Sequence, residues 1–218
     1  MADALAAKGL HPLQNTWAFW EHRKGGTGSD YGSKMFQLGE FETVEDFWRF
    51  KNNLPQPSEV FYTPQSGHKK FVDREIDGFS MFKGGIRPEW EDKANMYGGE
   101  FFCRQTMAPA QLDNAWEKLL LGLVGETIDN GDEICGVRVV DKSKSNRPTY
   151  RLEMWFRSRD KDVLEHLRTQ VQKCLGANLL KEYMEHNVAM NTHGAGAPKG
   201  RSGSTGPSGG PGGRPFRG

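Results

Sequence analysis

Cysteine is scarce in this sequence, and the cysteines present form neither a metal-binding nor a disulfide pattern. The 218 residues contain three, Cys103, Cys135 and Cys174, which lie far apart and are odd in number. No CxxC pair or His/Cys ligand spacing occurs. The sequence therefore argues against structural zinc and predicts no metal or cofactor. Three reduced thiols in a reducing compartment are the simplest interpretation.

Long apolar runs are also missing. No stretch approaches the roughly 18 consecutive apolar residues of a membrane helix. The start, MADALAAKGLHPLQ, has too short an apolar segment for a signal peptide. We therefore expect a cytoplasmic protein that does not enter a membrane.

An excess of charge of one sign is absent too. Lys plus Arg is 29 and Asp plus Glu is 28, so the net charge is +1. Such a balance gives no general attraction to nucleic acid, so a polyanion has to be bound by a local cluster of cations. Hydrophobic residues make up 36% and aromatic residues 11% of the chain, which is enough to build the core of one domain.

Motifs of common enzyme classes are not found. The Gly-rich stretch KGGTGSDYGSK fails the phosphate-binding GxxxxGK[ST] pattern, because Ser33 follows Gly32 where lysine is needed. No paired His/Cys arrangement or Glu-rich metal cluster occurs. These absences predict a protein that is not an enzyme.

The composition divides the chain into one domain with two tails. Residues 1–10 are predicted to be a flexible N-terminal tail and 11–190 a single domain. Residues 191–218 are rich in Gly, Pro, Ser and Arg and are predicted to be disordered, because they cannot bury enough apolar surface. Residues 54–78 contain three prolines and no clean period, which predicts a long surface excursion.

Between the tails, alternating patterns predict strands and 3.6-residue patterns predict helices. The strand candidates are NTWAFWEHR, KMFQLGEF, GFSMF, EFFCRQTM, EICGVRVVD and YRLEMWFRS. The helix candidates are TVEDFWRFKNNL, APAQLDNAWEKLLLGLVGE and DKDVLEHLRTQVQKCLG. This order predicts an α+β fold with a single curved antiparallel sheet backed by about three helices.

Several segments resemble one known family, in its order and near its spacing. They are HPLQNTWAFW, FETVEDFW, FKGGIRPEWED, LLLGLVGE and EICGVRVV, within about residues 11–185. They are similar to eukaryotic translation initiation factor 4E, a family that binds the 7-methylguanosine cap of messenger RNA. The resemblance implies a cupped-hand cap-binding fold.

The resemblance implies a site for the cap guanine. A methylated guanine is cationic, so two aromatic planes hold it by stacking and cation–π attraction, and a carboxylate accepts its N1 and N2 protons. Trp90 and Glu91 match the positions of one plane and of the acid. Tyr31 stands where the family usually has a second tryptophan, and Trp155 matches a tryptophan that touches the methyl group.

The resemblance also implies cations for the triphosphate of the cap. They are Lys142, Lys144, Arg147 and Arg151. The loop that carries Arg147 is about four residues longer than usual. Glu100 stands where the family has a basic residue, so it either lowers phosphate affinity or points elsewhere.

A second implied site receives a helix from the scaffold factor 4G or from 4E-binding repressors. The matching residues are His11, Pro12, Val44 and Trp48. Val44 and Trp48 are spaced i, i+4 and share one helix face. Glu117 and Lys118 depart from the family, which usually has a leucine and an acid there.

The sequence thus predicts a protein that binds capped messenger RNA and recruits a 4G-type scaffold to start translation. Two alternatives stay open at this level. One is a cap-binding repressor or a specialised paralogue that binds particular messages. The more distant one is a hydrolase of caps or nucleotides.

Overall fold

The computed structural model describes residues 9–25, 34–129, 132–144 and 147–193. Within them, seven strands form one sheet in the order β2-β1-β3-β5-β6-β4-β7, and every neighbouring pair is antiparallel. The expected α+β fold with one antiparallel sheet is confirmed. The strands are β1 (Pro12–Lys24), β2 (Met35–Thr43), β3 (Glu75–Lys83), β4 (Gly99–Gln105), β5 (Ile134–Asp141), β6 (Tyr150–Phe156) and β7 (Glu182–Glu185).

Three long helices and two short ones accompany the sheet in the described part of the chain. The long ones are α1 (Val44–Asn53), α3 (Pro109–Val124) and α4 (Lys161–Leu175); the short ones are α2 (Pro57–Val60) and α5 (His186–His193). As predicted, α1 begins after Thr43, whose side chain accepts the N–H of Asp46 at 3.1 Å. Gly176 ends α4 with a φ of 69°, the left-handed conformation that glycine adopts without strain.

The two faces of the sheet differ in chemistry because side chains alternate along each strand. A row across five strands faces the helices and joins the main core: Phe19, Met81, Val137, Met154 and Phe101. The adjacent row points to the opposite side, which we call the loop face: Trp20, Ser80, Arg138, Glu153 and Phe102. The sheet thus has one apolar face and one face with buried polar groups.

The segment 54–78 corrects one expectation from the sequence. It is not only a surface excursion, because Phe61 is fully buried and stacks on Phe79 with ring centroids 5.9 Å apart. The N–H of Tyr62 donates to Asp141 at 2.6 Å. Part of the segment, including Pro57, therefore packs into the domain core, while other residues of it stay exposed.

The patterns also missed β7 and α5, which follow α4. Strand β7 pairs with β4 at the sheet edge, and α5 starts in the next residue. The bounds predicted for the N-terminal tail (1–10) and the C-terminal tail (191–218) fall largely on residues outside the described ranges. None of the helices in the described ranges combines the length and the apolar character needed to cross a bilayer.

Candidate functional site

The loop 84–98, between β3 and β4, is held together by its own polar side chains. Asp92 accepts the N–H of Arg87 at 3.0 Å. The side-chain amide of Asn95, which is fully buried, donates to the carbonyls of Arg87 and Glu89, both at 2.8 Å. These bonds replace a regular ladder and hold the loop in one conformation.

Trp90 and Glu91 lie in this loop with different surroundings. Trp90 is half-buried and packs against a small apolar cluster on the loop face, made of Phe82, Cys135 and Trp155. Glu91 is exposed, and its carboxylate has no hydrogen-bond or ion-pair partner among the described residues. The loop therefore presents an anchored indole next to an acid available to a ligand.

Trp155 is the largest side chain of the cluster against which Trp90 packs, and we call it the floor of the candidate base site. Its side chain is 1% exposed and lies edge-on to Phe82, with ring centroids 5.3 Å apart. On another side the His186 ring lies 4.5 Å away, centroid to centroid. Because Trp155 is almost covered, a ligand can reach only a small part of its surface.

Below Trp155, a fully buried carboxylate gathers several donors. Glu153 accepts the indole N–H of Trp155 at 2.8 Å, Arg151 Nε at 2.6 Å and Arg138 Nη2 at 3.0 Å. Burial alone would raise the pKa of Glu153, but the charges of Arg138 and Arg151 outweigh it and lower this pKa to about 2. Glu153 therefore stays ionised and fixes both arginines.

Glu100, the unexpected acid, continues this network. It is fully buried and accepts a hydrogen bond from Nη2 of Arg151. Its other oxygen lies 3.6 Å from Nε2 of His186, whose Nδ1 donates to the carbonyl of Asn95 at 2.8 Å. Glu100 thus points into the buried network, and Arg151 balances its charge. Arg151 still has Nη1 free of the two carboxylates and able to donate to an anion.

Three further cations predicted for phosphates lie around the β5–β6 connection. Lys142 is partly buried, and its pKa is lowered by burial and then by the charge of Arg138. Lys144 and Arg147 are exposed, and their backbones pair, with Arg147 N–H donating to the Lys144 carbonyl at 2.9 Å. Together with Thr149 they line a cavity of about 360 Å³.

Tyr31, expected to be the second aromatic plane, lies outside the described residues. Its proposed role therefore depends on the sequence alone.

The residues predicted to bind a scaffold come together on the helical side. The N–H of Val44 donates to the His11 carbonyl at 2.9 Å, and Pro12 opens β1 next to it. Nδ1 of His11 lies 2.6 Å from a carboxylate oxygen of Glu45. Trp48 follows Val44 by one turn and is 38% exposed. The buried core residue of α1 is its neighbour Phe47.

The two departures on α3 are explained by contacts within the chain. Glu117 forms an ion pair with Lys51 of α1 at 2.6 Å. The ammonium group of Lys118 donates to the carbonyl of Leu175 at 3.0 Å, near the end of α4. These two contacts connect α3 to α1 and to α4. The ammonium group of Lys51 also lies 5.7 Å from the ring centroid of Trp48.

Sequence reasoning missed the roles of Arg138, Glu153 and His186. A signal was present, because Arg138 and Glu153 interrupt the apolar runs of the strand candidates EICGVRVVD and YRLEMWFRS. A charge in such a strand needs a buried partner. The sequence could not show which partner, since strand register and the position of α5 decide it.

Comparison with known proteins gives consistent matches. The model of the family "Eukaryotic initiation factor 4E" matches residues 12–199. Eukaryotic translation initiation factor 4E1 of Drosophila melanogaster is 34% identical to this chain. The match covers 66% of this chain and about half (52%) of the length of the Drosophila protein. Eukaryotic translation initiation factor 4E-2 of Schizosaccharomyces pombe is 31% identical over 88% of the chain and 72% of its own length.

Solved structures show the same similarity. The complex of C. elegans eIF4E-3 with the 4E-binding protein Mextli and a cap analog superposes with a TM-score of 0.67 at 27% identity, covering 83% of this chain and 95% of that one. Ascaris suum eIF4E-3 with m2,2,7G cap gives a TM-score of 0.62 at 30% identity, covering 77% and 85%.

Proposed function

The chain belongs to the eukaryotic initiation factor 4E family, and we propose that it binds the 7-methylguanosine cap of messenger RNA and recruits a scaffold of the 4G type to start translation. The observation that carries the proposal is the packing of Trp90 against the cluster that contains Trp155, with Glu91 beside it, exposed and without a partner among the described residues. We propose binding without catalysis, and a cytoplasmic location, where translation starts.

The base is recognised at the loop 84–98. The Trp90 face stacks on the methylated guanine, and each base–aromatic contact of this kind stabilises binding by about 1–3 kcal/mol. Glu91 accepts the N1 and N2 protons of the guanine and attracts its positive charge. Tyr31, from the family resemblance, provides the second plane, and Trp155 supports the first from below and touches the methyl group.

The triphosphate extends from the base toward the β5–β6 connection. Arg151 lies four residues before Trp155 along β6, so both side chains are on the same face of the sheet. Its Nη1, with Lys142, Lys144 and Arg147, provides donors for phosphate oxygens. Because the protein has a net charge of only +1, this local group supplies the attraction that the whole chain lacks.

The scaffold binds on the helical side. His11, Pro12, Val44 and Trp48 form the surface for a partner helix. The proposal of a protein partner is supported by the similar C. elegans eIF4E-3, whose solved structure is a complex with the 4E-binding protein Mextli. Trp48 is the exposed aromatic anchor of this surface. The two sites lie on opposite faces of the sheet, so the protein can hold the cap and its partner at the same time.

A titration with cap analogues tests the proposal. Intrinsic tryptophan fluorescence should be quenched by 7-methyl-GTP and much less by GTP, because only the methylated base is cationic. Trp90→Ala should abolish this binding, whereas Tyr97→Ala, a 68% exposed aromatic residue of the same loop, should keep it. Equal affinity for both nucleotides, or full binding by Trp90→Ala, would contradict the proposed function.

A further inference from the structure

His186 lies where several parts of the candidate base site meet. It begins α5 and is fully buried. Its ring lies against Trp155, with centroids 4.5 Å apart, and its Nδ1 donates to the carbonyl of Asn95 in the loop 84–98 at 2.8 Å. Its backbone N–H donates to the carbonyl of Gly98, at the end of the same loop, at 3.1 Å. His186 therefore contacts both the floor of the base site and this loop.

The second ring nitrogen of His186 faces an acid. Nε2 lies 3.6 Å from one oxygen of Glu100, and although both atoms are buried, neither has a hydrogen-bond partner in the described part of the chain. Because the Asn95 carbonyl can only accept, Nδ1 carries a hydrogen. In a neutral ring Nε2 is then a lone pair pointing at a carboxylate oxygen, which is repulsive. In an imidazolium it carries a second hydrogen and attracts that oxygen, so the protonated ring fits both contacts.

The charged groups nearest this ring are carboxylates that already bind arginines. Strand β4 contributes Glu100, whose other oxygen accepts a hydrogen bond from Arg151 on β6. Strand β7 contributes Glu185, which pairs with Arg159 at 3.4 Å. The loop 84–98 contributes backbone carbonyls. The carboxylate opposite Nε2 is thus shared with an arginine, and a proton on the ring takes up part of its negative charge.

Protonation of the ring affects both ends of the proposed cap site. A charged donor makes a stronger hydrogen bond to the Asn95 carbonyl, and the Asn95 amide in turn holds two carbonyls of the loop that carries Trp90. That loop is therefore held more firmly. Glu100, attracted by the charged ring, neutralises less of the charge of Arg151, which leaves more of it for a phosphate.

We propose that His186 is a positioning residue for the cap and that its imidazolium form is the one that favours binding. This inference rests on the proposed function and adds to it a residue that no ligand touches, since His186 is fully buried and acts through Trp155, Asn95 and Glu100. By linkage, a proton that favours the ligand is itself held more strongly when the ligand is bound. Cap binding and protonation of His186 are therefore coupled.

The pH dependence of binding tests this coupling. Affinities for 7-methyl-GTP are measured for the wild type, His186→Asn and His186→Gln from about pH 5.5 to about pH 8, which spans the titration of a histidine. The asparagine amide can still donate to the Asn95 carbonyl and the glutamine amide to Glu100, but neither titrates. The wild type should bind about tenfold more tightly than either variant at the acidic end and about twofold at the alkaline end, because the charge-assisted contact exists only where the ring is charged.

Two controls separate this effect from others. The ratio of wild-type to variant affinity removes the titrations of the nucleotide, since all the proteins bind the same ligand. His166→Asn changes a half-buried histidine on α4 and should bind like the wild type at every pH.

A second measurement needs no variant. NMR of the isotope-labelled ring nitrogens of His186 at about pH 7 should show them shift toward imidazolium values when 7-methyl-GTP is added.

The outcomes separate this inference from the proposed function. If the wild type does not bind 7-methyl-GTP, both are wrong. If it binds, but the ratio to the His186 variants is the same at every pH or grows as the pH rises, only the inference is wrong and His186 is merely structural. Ring nitrogens that do not respond to the ligand also overturn it, and this result stands even if both variants fail to fold, which thermal unfolding checks.

Discussion

The indole N–H of Trp155 donates a 2.8 Å hydrogen bond to Glu153, the same buried carboxylate that binds Arg138 and Arg151. One acid therefore connects the floor of the proposed base site to the first cation of the proposed phosphate track. Its charge is needed because two guanidinium groups converge on it. The arrangement makes the geometry of both ends depend on a residue that no ligand touches.

Glu153→Gln should destabilise the protein strongly. The amide can still accept a hydrogen bond, but it leaves the charges of Arg138 and Arg151 with one acid fewer in a buried place, which costs about 3–5 kcal/mol. Urea unfolding measures the loss. Glu165→Gln, an exposed acid on α4, should change the unfolding free energy by less than about 0.5 kcal/mol. Similar stability of both variants would show that the buried charges need no pairing.

The stability of the protein should decrease on acidification because His22 is buried in its neutral form. This residue is buried next to the Ser80 hydroxyl, and burial followed by the charge of Arg138 lowers its pKa from 6.5 to about 3. Between those values the unfolded chain binds a proton that the folded protein does not bind. Stability is therefore complete above pH 6.5 and falls as the pH decreases, by about 1.4 kcal/mol per pH unit from this group.

His22→Gln should remove that slope between pH 6.5 and 5, whatever its effect on the stability at neutral pH. This window lies above the range in which Glu153, with its pKa lowered from 4.5 to about 2, begins to lose stability on protonation. Unfolding free energies at half-unit pH intervals give the two slopes. Parallel curves for wild type and variant would rule out His22 as the sensitive group.

Asn95→Ala should weaken cap binding without removing any proposed ligand contact. It deletes the two 2.8 Å hydrogen bonds to the carbonyls of Arg87 and Glu89, so the loop carrying Trp90 becomes less ordered. At about 1 kcal/mol for each bond, we expect a loss of about tenfold or more in affinity for 7-methyl-GTP. Lys93→Ala, exposed in the same loop, is the matched control. Unchanged affinity in a folded Asn95→Ala protein would mean that the loop is positioned by other contacts.

Trp48→Ala and Trp90→Ala should have opposite effects. Trp48 is 38% exposed, so its truncation should leave the fold intact, lower scaffold affinity by at least about 2 kcal/mol and keep cap binding. Trp90→Ala should lose cap binding and keep scaffold binding. A pull-down with a 4G-type helix and a cap resin measures both, with Arg49→Ala as an exposed control on α1. Normal scaffold recruitment by Trp48→Ala would move the partner surface to the region of Glu117 and Lys118.

Local pattern was enough to identify most of the elements. The Thr43 and Asp46 pair indicated the start of α1, and Gly176 indicated the end of α4, because caps and left-handed glycines depend on neighbours in the chain. Strand β7 was missed because it is four residues long, exposed in part and dependent on long-range contacts, namely its pairing with β4 and the packing of Tyr183 against Phe101 and Phe156. Phe61 was assigned to the surface because its burial depends on Phe79, far away in sequence.

For the site, the sequence by itself determined the pairing of an aromatic residue and an acid at Trp90 and Glu91, since adjacent residues need no fold to be adjacent. The tertiary structure alone decided that Glu100 faces Arg151 and that Arg104 has no carboxylate partner within the described part of the chain. The reason is physical. Whether a charge binds a ligand or a neighbouring side chain depends on strand register and burial, and long-range pairing of the strands sets both.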